Sequence, residues 1–234
     1  MIRVLTRRSW VVSSATREVF IKVSGITNLE DAKFAASCRV DALGFIFSKN
    51  NPRSIDSEAC AGIIRELPSH ISKVGEFIGS DRQHVRNVLS RVNLSAAQID
   101  GPFGADDLVD FETSVIKVFR IGRDFDIDVM KNYLVDAFLL DACFESSKGS
   151  GERVYCWDIA LQARNYGRVI LAGGLNPENV AEAVRFVQPY GVSVCTGVES
   201  KPGVLNRERL REFVSNAKAV RLLDENDDLS SEYP

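Results

Sequence analysis

Several short apolar or β-branched runs in the chain end in side chains or glycines suited to chemistry. Lys22 and Ser24 lie at and just beyond the end of Phe20–Val23, and the stretch Ser48 to Arg53 follows Ala42–Phe47. Gln98 and Asp100 lie at the end of Ala96–Ile99, and Asp141 closes Ala137-Phe138-Leu139-Leu140. Gly173-Gly174 follows Arg168–Leu171, and Thr196-Gly197 follows Gly191–Val194. A carboxyl at the end of an apolar run is often partly desolvated, which raises its proton affinity and suits Asp141 to proton transfer. Its other reading is a helix cap or an ion-pair partner for Lys148. Glycine turns let backbone N–H groups close on a phosphate, although the same residues also serve plain tight turns.

The elements that must position these groups alternate regularly. Eight β-type runs are expected: Phe20–Val23, Ala42–Phe47, Lys73–Ile78, Ala96–Ile99, Ser114–Arg120, Ala137–Leu140, Arg168–Leu171 and Gly191–Val194. Helical patterns follow most of them. Thr27-x-x-Glu30 and Ser80-x-x-Gln83 read as capping boxes, and Asp56 as the cap of a helix burying Cys60, Ile63 and Ile64. Pro177 falls at the first position of a helix through Val180, Val184 and Val187, and Leu210, Phe213, Val214 and Ala217 stripe the last one. Weaker helical patterns cover 104–112 and 125–134. Eight strands alternating with helices in about 200 residues indicate a single (β/α)8 TIM barrel of the α/β class, with an open doubly wound sheet as the alternative. In such a barrel, active groups sit where strands end, and the loops after strands seven and eight are the commonest phosphate site.

Composition narrows the function classes. The 234 residues are 45% hydrophobic and 26% charged, with a net charge of −3, which suits one globular domain. No Lys/Arg-rich stripe offers a nucleic-acid footprint, and no run approaches the roughly 18 apolar residues of a membrane helix. Two histidines, His70 and His84, leave no His-rich metal site, and neither is assigned a role. Five cysteines without metal-type spacing fit free thiols in a reducing, cytoplasmic setting. Residues 1–19 form an N-terminal extension, read as an added strand or frayed segment, or as an Arg- and Ser-rich organellar transit peptide. Residues 20–221 make the barrel, and 222–234 an acidic solvated tail.

These residues also form a recognisable set. Lys22-Val23-Ser24-Gly25-Ile26-Thr27-Asn28 with Asp41-Ala42-Leu43-Gly44-Phe45-Ile46-Phe47 resembles the phosphoribosylanthranilate isomerase family of tryptophan biosynthesis. So do Pro52-Arg53, Leu139-Leu140-Asp141, Gly149-Ser150-Gly151 with Trp157-Asp158, Gly173-Gly174-Leu175-Asn176-Pro177 and Gly197-Val198-Glu199. The matches run in order from about Phe20 to Ala219. The resemblance implies a cofactor-free barrel that performs an Amadori rearrangement on a phosphorylated small-molecule substrate; the surface is compatible with a monomer or homodimer, and no metal is expected. It implies Asp141 as general acid, Arg53 in the substrate site and Gly173, Gly174 and Gly197 in the phosphate site.

Three positions depart from the family. It reads Lys-x-Cys-Gly-Ile-Thr, its cysteine being the general base, where this chain has Ser24. It reads Gln-Leu-His-Gly against Gln98-Ile99-Asp100-Gly101, and Asp-Val-Ser-Ser-Gly against Ser193-Val194-Cys195-Thr196-Gly197. Three readings follow: an isomerase with Asp100 or another group as substitute base, a paralogue for a different phosphorylated ligand, or a non-catalytic scaffold subunit. Arg53 and the glycine loops favour the first two. Cys195 is a further candidate base, or a small residue filling space beside the phosphate loop. Lys22 points to the same face as Ser24, and such a buried ammonium calls for a partner, Asp141 or a bound anion.

Overall fold

The structure, a computed structural model, describes residues 18–122, 124–142 and 150–222, with the backbone alone over 150–155. The expectations for 1–17 and 223–234, together with Lys148 and Gly149, lie outside these residues. Eight parallel strands pair in chain order: β1 (Phe20–Val23), β2 (Ala42–Ile46), β3 (Ser72–Ile78), β4 (Ala96–Asp100), β5 (Ser114–Arg120), β6 (Ala137–Asp141), β7 (Val169–Ala172) and β8 (Gly191–Val194). β1 also pairs with β8, Phe20 opposite Gly191 and Lys22 opposite Ser193, which closes the barrel. Every expected strand is present, within one residue at each end. A small antiparallel hairpin, β9 (Glu199–Lys201) and β10 (Val204–Leu205), follows β8.

The helices are α1 (Leu29–Ser37), α2 (Ser57–Arg65), α3 (Arg82–Leu89), α4 (Ala105–Leu108), α5 (Ser150–Ala163), α6 (Val180–Val187) and α7 (Arg207–Lys218). The weak patterns at 104–112 and 125–134 become one turn of α4 and a 3-10 segment over Ile127–Asn132. α5 escaped the sequence reading because its apolar residues are spread around the helix instead of forming one stripe.

Several caps differ from expectation. Asn28, not Thr27, caps α1: its Oδ1 accepts from the Asp31 N–H at 2.8 Å, and its Nδ2 donates to the Asp31 carboxylate. Thr27 instead donates to the Gly203 carbonyl and ties β1's exit to the hairpin. Asp81, not Ser80, caps α3. Asp56 caps α2 as expected. Pro177 lies in a turn three residues ahead of α6, where Asn176 and Asn179 exchange side-chain bonds to each other's N–H.

Outward-facing strand residues such as Ile21, Phe45, Phe77 and Leu171 pack beneath the helices, together with Phe213 of α7. Inside, Phe20 stacks on Tyr190 at the N-terminal end, 5.4 Å between ring centres, and Val74, Ile116, Leu139 and Ile170 fill the layers above. Near the C-terminal mouth the filling turns polar, with Lys22, Ser24, Glu76, Gln98 and Ser193 buried. An apolar plug below and a polar layer above leave the mouth as the place for chemistry.

Phe213→Ala removes a fully buried ring and should destabilise the fold by about 3–5 kcal/mol. Urea unfolding measures this, and a loss under about 1 kcal/mol would contradict the packing described.

Candidate active site

Strand alternation places Lys22 on the inner face of β1, with Ser24 on the same side just past its end. The Lys22 ammonium is fully buried and donates to Ser24 Oγ and to Glu76 Oε1, both at 2.7 Å. Ser24 Oγ lies 3.2 Å from Ser193 Oγ, across the β1–β8 seam. The carboxylate that a buried lysine calls for is therefore present, but it comes from Glu76 on β3 and not from Asp141. The reason is position: β6 lies three strands from β1 around the ring, whereas β3 lies two away with only Gly44 between.

Gly44 makes this contact possible. A Cβ there would lie 1.8 Å from Glu76 Oε1 and 3.2 Å from Ser24 Cα, so the Glu76 side chain passes over β2 through the space a side chain would fill. Sequence reasoning missed Glu76, since a lone acid inside Lys73–Ile78 reads as a solvated strand face. Alternation from Val74 was the available signal, because it puts Glu76 on the inner face.

Beside Glu76 in register stands Gln98 of β4, whose buried Oε1 has no hydrogen-bond partner among the described residues. Asp100 ends β4 at the mouth and pairs with Arg120 at 3.0 Å, three strands from Ser24. The carbonyl of the following Gly101 accepts from Lys117, whose buried ammonium lies over the rings of Phe119 and Tyr133. Burial pushes the Lys117 pKa down, with Asp100 opposing the shift. Asp141 ends β6, opposite Arg120 in register.

Arg53 crosses over Gly25, where a Cβ would meet its Cδ at 2.8 Å. Its guanidinium grips Glu199 in a fork, Nε at 2.8 Å and Nη2 at 2.7 Å, so an intramolecular carboxylate already holds it, while Nη1 has no partner among the described residues. The bond to Glu199 raises the Arg53 pKa against the opposing effect of burial. Cys195 Sγ crowds the same position, 3.2 Å from where a Cβ on Gly25 would lie. Burial, with Glu76 and Glu199 adding to it, pushes its thiol up to about 12, so Cys195 is a protonated thiol at neutral pH.

Gly173 and Gly174 both take left-handed φ, +90° and +62°, and their N–H groups donate to no backbone carbonyl among the described residues. A Cβ on Gly173 would lie 2.3 Å from the Ala142 carbonyl oxygen. One on Gly197 would lie 2.0 Å from that of Leu175. The two turns thus pack backbone against backbone at adjacent strand ends. Arg209 supports them, donating to the Gly197 carbonyl and pairing with Glu178. Unclaimed N–H groups on glycine are the arrangement that binds phosphate oxygens.

Residues 21–216 match the family model described as N-(5'phosphoribosyl)anthranilate (PRA) isomerase. The chain is 40% identical over 201 residues to N-(5'-phosphoribosyl)anthranilate isomerase of Pelobacter propionicus, covering 86% of this chain and 96% of that one. It is 41% identical to the protein of the same name in Geobacter metallireducens, covering 86% and 100%. Among solved structures, phosphoribosyl anthranilate isomerase from Thermotoga maritima superposes with a TM-score of 0.77 at 34% identity, over 86% of this chain and all of that one. Another such isomerase, solved in complex with reduced 1-(o-carboxyphenylamino)-1-deoxyribulose 5-phosphate, gives 0.75 at 33%, with the same coverage.

Two outcomes follow from this geometry. Gly44→Ala displaces Glu76 from Lys22 and leaves a buried ammonium unpaired, an expected loss of about 3–5 kcal/mol in urea unfolding; an unchanged midpoint would deny the pairing. Iodoacetamide at pH 8 should alkylate Cys195 on the order of 10²–10³-fold more slowly than free cysteine, read by peptide mass spectrometry. Labelling at the free-cysteine rate would show a thiolate there.

Proposed function

The chain belongs to the N-(5'-phosphoribosyl)anthranilate isomerase family, and we propose that it converts N-(5'-phosphoribosyl)anthranilate to 1-(o-carboxyphenylamino)-1-deoxyribulose 5-phosphate in tryptophan biosynthesis. The supporting observation is convergence: Asp141, Arg53 and the two glycine turns all stand at the C-terminal mouth of one closed barrel. A scaffold has no need of anion-binding groups directed at an acid. The solved complex of a related isomerase holds a ligand with an aryl carboxylate and a phosphate, and the groups here suit both in kind.

The reaction needs few parts. The N–H groups of Gly173 and Gly174, beside Gly197, anchor the phosphate and fix the sugar between catalytic groups. The free Nη1 of Arg53 faces the anthranilate carboxylate, while Glu199 keeps the guanidinium in place. Asp141 delivers a proton to the ribose ring oxygen as the C1–O bond breaks, and the anilino nitrogen's lone pair forms the C1=N iminium. A base then removes the C2 proton, giving the enolamine that tautomerises to the aminoketose.

Purified protein should consume fresh phosphoribosylanthranilate, followed by loss of its fluorescence. Asp141→Asn should lower kcat by roughly 10²–10⁴-fold without unfolding the barrel. A silent wild type would remove the reading and favour a paralogue that binds another phosphorylated ligand.

A further inference from the structure

Ser24 stands where the family carries its thiol base, so the C2 proton of the sugar has no acceptor in the scheme above. We propose that Glu76 is that general base, and that it also serves as the counter-ion of Lys22, replacing the family's strand-eight aspartate, whose position here is Ser193. This rests on the isomerase reading and deepens it.

Register places Ser193 directly beside Lys22, so an aspartate there would face the ammonium from β8. In this chain the ammonium turns the other way, to Glu76 of β3. The same displacement carries a carboxylate over Gly44 to the ammonium that Ser24 Oγ also contacts, each at 2.7 Å, so base position and carboxylate share one lysine. Base position and charge partner have in effect changed strands together. One Glu76 oxygen is held by Lys22, and the other takes no hydrogen bond among the described residues. Next to it, the unpartnered Oε1 of Gln98 is an acceptor placed to take a sugar hydroxyl and hold the C2 region against the carboxylate.

The competing bases are weaker candidates. Ser24 Oγ already accepts from Lys22, and a hydroxyl needs its own base to act as one. Cys195 stays protonated, and Asp100 is committed to Arg120 three strands away. The step balances within the substrate: Glu76 takes the C2 proton, the C–H electrons become the C1=C2 bond, and the iminium electrons return to nitrogen. Tautomerisation of the enolamine then puts a proton on C1 and takes one from the C2 hydroxyl, so no oxidant or reductant enters.

Counter-ion and base roles separate in a variant series. Glu76→Gln strands Lys22 and should lose both stability and activity. Adding Ser193→Asp returns a carboxylate to the lysine from β8 and should restore the unfolding midpoint, while kcat stays on the order of 10²–10⁴-fold below wild type with KM little changed. Adding Ser24→Cys to that pair reinstates the family's own arrangement and should recover turnover. Wild-type kcat in Glu76→Gln/Ser193→Asp would reduce Glu76 to a counter-ion and overturn the proposal. A wild type inactive on phosphoribosylanthranilate, with all variants equally silent, would overturn the isomerase reading itself and this inference with it.

Discussion

The upper half of the barrel is organised by one buried ion pair, Lys22 with Glu76. A fully buried ammonium is tolerated only with a carboxylate at hydrogen-bond distance, and removing either partner of such a pair costs about 3–5 kcal/mol. The requirement spreads outward through the neighbouring strands. It obliges β2 to carry glycine at position 44, because any Cβ would occupy the path of the Glu76 side chain. It orients Ser24, whose hydroxyl accepts a second hydrogen bond from the ammonium and lies 3.2 Å from Ser193 Oγ. Three strands, β1, β3 and β8, are thereby tied together beneath the mouth by polar contacts, while Phe20, Tyr190 and the aliphatic layers close the other end.

Beside this cluster, past the ends of β7 and β8, lies a second construction, made of backbone. Gly173 lies so close to Ala142 past β6, and Gly197 to Leu175 past β7, that neither leaves room for a side chain, and Arg209 braces the region from α7. Arg53 and Glu199 link this region to the loop after β2, which holds a guanidinium at the rim with one nitrogen unclaimed. Backbone packed this closely is preorganised for the phosphate proposed to bind there, which lowers the cost of positioning a substrate across the mouth. In the proposed reaction Lys22 and Glu76 act at one end of the sugar, and the glycine turns hold the other.

How much of this was legible in the sequence depends on the range of the interaction involved. Alternation and turn chemistry are local, so all eight strands emerged within a residue of their observed ends. The capping boxes failed by one residue at Asn28 and Asp81 because Ser, Thr, Asn and Asp compete for the same N–H groups, and tertiary demands decide between them. Thr27 was claimed by Gly203, far along the chain. α5 was missed because its apolar residues run around the helix in sequence and leave no stripe to read.

The candidate site divides in the same way. Residue types at strand ends, Asp141, Arg53 and the glycine turns, were determined by the sequence alone, as were the barrel and the departures at Ser24, Asp100 and Ser193. The partner of Lys22 was not. A parallel barrel brings β1 and β3 onto one inner surface although they are joined by some fifty residues of chain, and no local pattern marks which acid will cross the strand between them. Only the closed ring, with its register and the missing side chain at Gly44, selected Glu76 over Asp141 and Asp100. Strand alternation puts Glu76 on the inner face, but which acid meets Lys22 there is a property of the assembled ring.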